Sequence, residues 1–167
     1  MKIFYLCPTG LHTALVAAGL HVGWLQADRP PVRKDLHKMI KEYRRLDYKL
    51  GKPVSIGIDR AGNEVFTVGV GRVHEIMKKV VTDVFKKVYG VSEEEYLVVD
   101  TAGLANGWIN TGSFFSMRIK MSVFGETLCA YGIRKYYPDI INIVEQVKSE
   151  TFQSQIDMKI IPSRNNV

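Results

Sequence analysis

The chain has 167 residues, 46% of them hydrophobic, and its 23 basic and 17 acidic side chains give a formal charge of +6 and a pI near 9.3. That length favours one domain with one core, and no apolar run reaches the ~18 residues that a membrane span needs. Two cysteines, Cys7 and Cys129, are too few for a disulfide framework, and neither has a second Cys or a His at zinc-ligand spacing, so no metal and no cofactor is expected.

The N-terminus lacks the basic region, long apolar stretch and small-residue cleavage site of a secretory signal, and the expected location is cytoplasmic. The positive charge invites a nucleic-acid partner, but its distribution argues against one. Lys78, Lys79, Lys86 and Lys87 fall on the polar side of an amphipathic pattern, Lys38, Lys41, Arg44 and Arg45 repeat the arrangement, and no recognised binding motif accompanies them.

In chain order, Ile3 to Leu6 is an apolar strand, Cys7 to Thr13 a tight turn, and Thr13 to about Ala27 a helix with Leu15, Ala18, Val22 and Leu25 on one side. Gly19 and Gly23 within it would allow close packing against a neighbour. A second helix spans about Val32 to Tyr48 and stops at Gly51-Lys-Pro53. Val54 to Ile58 and Glu64 to Val68 form a hairpin across Asp59-Arg-Ala-Gly-Asn63. Gly69-Val-Gly71 leads into the longest amphipathic helix, Arg72 to about Tyr89. Tyr96 to Val99 is a strand ending in Asp100-Thr101, and a buried helix begins near Thr111 or Ser113. Thr127 to Tyr131 reads as the last core strand and Arg134 to about Lys148 as the last helix.

Alternation of strands and helices implies a three-layer α/β fold, with a mostly parallel sheet of about five strands, one hairpin pair and helices on both faces. Residues 1–148 form the domain, and 149–167 a tail that is either an edge strand or loose. Ligands of such sheets sit beyond the carboxyl ends of the strands. Cys7 to Thr13, Gly69 to His74, Asp100-Thr101 and Gly132 to Arg134 each follow an expected strand, and those on parallel strands should meet on one rim.

The first turn carries the sharpest candidates. Backbone N–H groups at a helix start lack intrahelical partners and lie at the positive end of the helix dipole, which suits an anion such as phosphate. Cys7 is placed there either as a nucleophile or as a small buried residue closing a strand. His12 could polarise a phosphate, position Cys7 or donate a proton, or it could cap the helix or support the site from behind. Thr9 and Thr13 offer hydroxyls to phosphate oxygens or a helix cap, and Gly10 permits a positive φ or close ligand approach. Asp100, with Thr101 beside it, could serve as general acid, base or metal ligand, or brace its loop through backbone N–H bonds. Arg118 and Arg134 are candidate phosphate clamps, with surface ion pairing as the alternative.

Cys7-Pro-Thr-Gly-Leu-His-Thr13 resembles the phosphorylation-site loop of fructose-type IIB components of the sugar phosphotransferase system, one residue shorter between Gly10 and His12. That resemblance implies a phosphoryl group carried on Cys7. The loop also resembles that of Cys-dependent phosphatases, but Thr13 stands where those enzymes need an Arg six positions after the Cys. A longer resemblance, over most of residues 1–148, is to an uncharacterised bacterial domain family associated with spore formers. Cys7, Gly10, His12 and Thr13 carry it, with Gly62-Asn63-Glu64-Val65, Asp100-Thr101, Gly112-x-Phe114-x-Ser116-x-Arg118 and Gly132-x-x-x-Tyr136-x-Pro138. It departs at Pro8-Thr9, and it implies a common fold and rim site without a reaction. The expected function is binding of a small phosphorylated molecule or phosphate at Cys7–Thr13, with phosphoryl transfer or hydrolysis through Cys7. The alternative is a non-catalytic regulatory or assembly module with a protein partner.

Overall fold

The computed structural model describes residues 1–46, 49–71, 76, 79–80, 83, 95–104 and 122–159. Its sheet is built on β1 (Lys2–Cys7), an apolar run whose residues from Ile3 to Cys7 are all buried, on both faces of the strand. A strand of that kind belongs in the middle of a covered, parallel sheet. β1 lies between two parallel neighbours, β3 (Glu64–Gly69) and β4 (Tyr96–Asp100), and β2 (Val54–Ile58) pairs antiparallel with β3 at the edge, in the order β2-β3-β1-β4. The turn of the β2–β3 hairpin is shaped by Asp59, whose Oδ1 accepts the N–H groups of Ala61 (2.9 Å) and Asn63 (2.8 Å), with Gly62 at φ +83°.

Helix α1 (Thr13–His21) buries all nine of its residues. It ends six residues short of the expected Ala27 because Gly23 turns the chain at φ +83°, and Trp24 N–H then bonds back to Gly19 O at 2.7 Å. Gly19 and Gly23 therefore have different reasons. A Cβ at Gly19 would stand 2.7 Å from Met39 Cε of α2 (Arg33–Arg45), whereas at Gly23 it would meet nothing within 4 Å. α2 turns Leu36, Met39, Ile40 and Tyr43 inward.

The C-terminal helix, α3 (Ser122–Lys159), corrects the expected C-terminal order. Thr127 to Tyr131 is helical, so the described sheet has four strands instead of about five. Residues 149 to 159 continue the helix, and the remainder of the expected tail, 160–167, lies outside the described residues. The physical reason lies in the buried set Ala130, Ile133, Tyr137, Ile140, Val144, Val147 and Thr151, which alternates steps of three and four and so forms one helical stripe.

One sheet face, with Ile3, Tyr5 and Cys7, shares a hydrophobic cluster with α1, α2 and α3; the other carries Phe4, Leu6, Val68 and Tyr96, with Phe4 stacked on Phe66 at 4.8 Å. Of the expected Arg72–Tyr89 helix, residues 76, 79, 80 and 83 are described and helical, and the apolar Ile76 and Val80 are exposed. The rest of that helix, and the one expected near Thr111 or Ser113, lie outside the described residues up to Ser122.

Candidate functional site

Parallel pairing brings the carboxyl ends of three strands to one rim. Cys7 is level with Gly69, and Leu6 with Asp100. The loops that follow are tied together by backbone: Val70 N–H bonds to Cys7 O (3.0 Å), Gly71 N–H to Pro8 O (2.9 Å), and Thr101 N–H to Leu6 O (2.8 Å). Gly132 to Arg134, expected to follow a strand at this rim, sits inside α3, with Arg134 exposed.

Gly10 takes φ +68°, and a Cβ there would stand 2.8 Å from Gly69 N and 3.2 Å from Tyr43 Oη. The glycine is thus required by the close approach of the end of β3. Its N–H donates to Cys7 Sγ at 3.1 Å and holds the sulfur in one orientation. Thr9 Oγ1 accepts Leu11 N–H (3.2 Å), lies 3.1 Å from His12 Nδ1 and 3.8 Å from Cys7 Sγ. One hydroxyl therefore links the imidazole to the thiol. If Nδ1 carries its proton, it donates to Thr9 and Thr9 donates to sulfur; in the other tautomer Thr9 donates to Nδ1.

Neither threonine caps α1. His12 holds the cap position with φ −116° and ψ −93°, makes no side-chain cap bond, and accepts Val16 N–H on its carbonyl at 2.9 Å. Thr13 is buried, with Oγ1 3.2 Å from Thr101 Oγ1, which also donates to Leu6 O at 2.8 Å. Cys7 is 2% exposed and His12 4%, while Pro8 and Thr9 are half-buried and form the outer lip of the loop. Asp100 accepts Ala102 N–H at 2.8 Å and so braces the short turn Ala102–Leu104. Arg118 lies outside the described residues.

A second polar cluster, built on His21, lies at the other end of α1 and is not among the candidates named from the sequence. Asp59 Oδ2 takes the Nε2–H of His21 at 3.0 Å, which leaves Nδ1 to accept the Tyr5 hydroxyl at 2.7 Å. Asn63 Nδ2 donates to the same Asp59 oxygen at 2.9 Å. Burial lowers the His21 imidazole from its ordinary value and raises the Tyr5 phenol far above its own. Burial also works to raise the Asp59 carboxyl, but hydrogen bonds from Asn63, His21 and Ala61 together outweigh it and hold it below the usual carboxylate range. The one sequence signal was a lone His closing the Ala-rich apolar run Ala14 to Leu20.

Fold and site together define an α/β protein with an open mixed sheet and a cysteine-bearing strand–loop–helix at the parallel rim. The chain belongs to the family described as protein of unknown function DUF3189, whose profile matches residues 2–149. No curated protein and no solved structure matches it. Among the described residues no helix is long and apolar enough to cross a membrane.

Proposed function

We propose that the Cys7–Thr13 loop binds a phosphate-bearing ligand and passes its phosphoryl group through Cys7. The observation that carries this reading is the chain His12 Nδ1, Thr9 Oγ1, Cys7 Sγ, set directly before the first turn of α1. In the step so arranged, the S–P bond forms as the bond from phosphorus to its leaving oxygen breaks. The thiol proton travels through Thr9 to His12 and from there to the leaving oxygen. The N–H groups of the first helical turn, Thr13 to Leu15, stand at the positive end of α1 and suit the phosphate oxygens. Among the described residues Arg134 is exposed and Asp100 braces its own turn, which leaves the loop amides and hydroxyls for recognition. Access to the sulfur requires the Pro8-Thr9 lip to lift.

The second reading, a regulatory or assembly module in which Cys7 and His12 only shape the loop, is favoured by the deep burial of the thiol. Cys7 and Cys129 are equally shielded at 2% exposure, and that makes a sharp test. With chemistry at Cys7, iodoacetamide labels Cys7 much faster than Cys129, and inorganic phosphate slows Cys7 alone. Equal, slow labelling of both, with no protection, sinks the phosphoryl-transfer reading and leaves the module.

A further inference from the structure

We infer that the groove at the C-terminal end of α1 is a second ligand site, for a small amphiphilic anion with an apolar body and one carboxylate or phosphate group. The groove encloses about 630 Å³ between the end of α1, the β2–β3 turn and the C-terminal half of α3. Small-molecule sites are typically about 300–1,000 Å³. α1 has nine residues, which at about 1.5 Å per residue puts its two ends about 13 Å apart, so the groove is separate from the Cys7 loop.

Its walls are apolar: Leu20, Leu25, Ile141 and Val144, with Phe152 standing 61% exposed at the lip. An aromatic ring left that far in water gains by covering an apolar ligand. The floor is polar but closed. Asp59 accepts four hydrogen bonds, two on each carboxylate oxygen, and both ring nitrogens of His21 are engaged. The floor therefore offers rigidity and leaves charge recognition to the lip.

Three charged side chains other than Asp59 line the groove: Arg60, Lys148 and Glu145. Two of the three are cationic, and among the described residues neither Arg60 nor Lys148 makes a side-chain hydrogen bond or ion pair. Lys148 lines the groove on α3 one helical turn before Phe152 and stands exposed at its lip. Unpaired cations over an apolar trough select an anionic head and an apolar tail.

Titration of the full chain with anilinonaphthalenesulfonate, an aromatic anion whose fluorescence rises in apolar surroundings, tests the assignment. One molecule should bind per chain, saturably, and octanoate or octyl phosphate should displace it, the stronger competitor identifying the head group. Lys148→Glu should weaken binding about tenfold, the loss of one charge-assisted contact. Ser149→Trp, which fills the groove from an exposed position, should abolish it, while Cys7→Ser should leave it unchanged. Circular dichroism verifies that each variant is folded. Absence of saturable binding, binding indifferent to both groove variants, or binding lost in Cys7→Ser overturns the proposal.

Discussion

A methyl group added at Gly10 would run into Gly69 N at 2.8 Å on a backbone already at φ +68°, whereas at Gly23, at φ +83°, it would meet open space. Gly23→Ala therefore costs only the left-handed penalty, about 1–2 kcal/mol, and Gly10→Ala costs that plus a backbone clash, on the order of 3 kcal/mol. Urea midpoints of the two variants measure the difference; equal losses would mean that the loop yields where the geometry says it cannot. His21 makes a pH prediction at the same scale. Its folded value lies below the ordinary 6.5, so as pH falls through that range the unfolded chain takes up a proton that the folded one refuses, and stability drops. Asp59 acts in the same direction further down: its contribution is present above the ordinary carboxyl value of 3.8 and is lost as pH falls through its lower folded value. Unfolding free energies at pH 7.5 and 5.5 should show the decline, and His21→Gln should flatten it whatever the variant's absolute stability. An unchanged slope would assign the dependence elsewhere.

Helix α2 is fastened to the sheet by a polar bond inside an apolar layer: Thr67 Oγ1 of β3 donates to Tyr43 Oη at 2.7 Å, and both residues are buried. Thr67→Val keeps the shape and removes the donor, so it should cost about 1 kcal/mol in denaturant unfolding. In α3 the sign reverses. Pro138 is exposed within the helix and supplies no N–H to the carbonyl one turn back, so Pro138→Ala should stabilise by roughly 1–3 kcal/mol and raise the urea midpoint. No gain would mean that the proline is matched to a bend that the packing of α3 needs. This is also the element that sequence pattern misassigned. Thr127 to Tyr131 is short, apolar and flanked by glycines at 125 and 132, which reads equally as a buried strand or as part of a helix. The three-and-four stripe that decides it runs from Ala130 to Thr151 and is visible only if the supposed strand and the supposed tail are read as one.

Across the whole molecule, α1 connects two chemically different ends, a thiol loop at its start and an apolar, cation-lipped groove at its finish. If the two act separately, Ser149→Trp leaves the rate of Cys7 alkylation and its protection by phosphate unchanged; a changed rate would reveal coupling through α1. The sequence by itself determined the strand–loop–helix at Cys7, the hairpin at Asp59–Asn63 and the parallel character of the sheet, because each rests on local periodicity or turn chemistry. Tertiary structure alone decided the rest. Burial of the thiol, the glycine demanded at position 10 by residue 69, and the bond from Thr101 to Leu6 depend on strands dozens of residues apart lying side by side. The union of Tyr5, His21 and Asp59 likewise joins a strand, a helix end and a turn that meet only once the sheet has formed, and no spacing along the chain encodes that meeting.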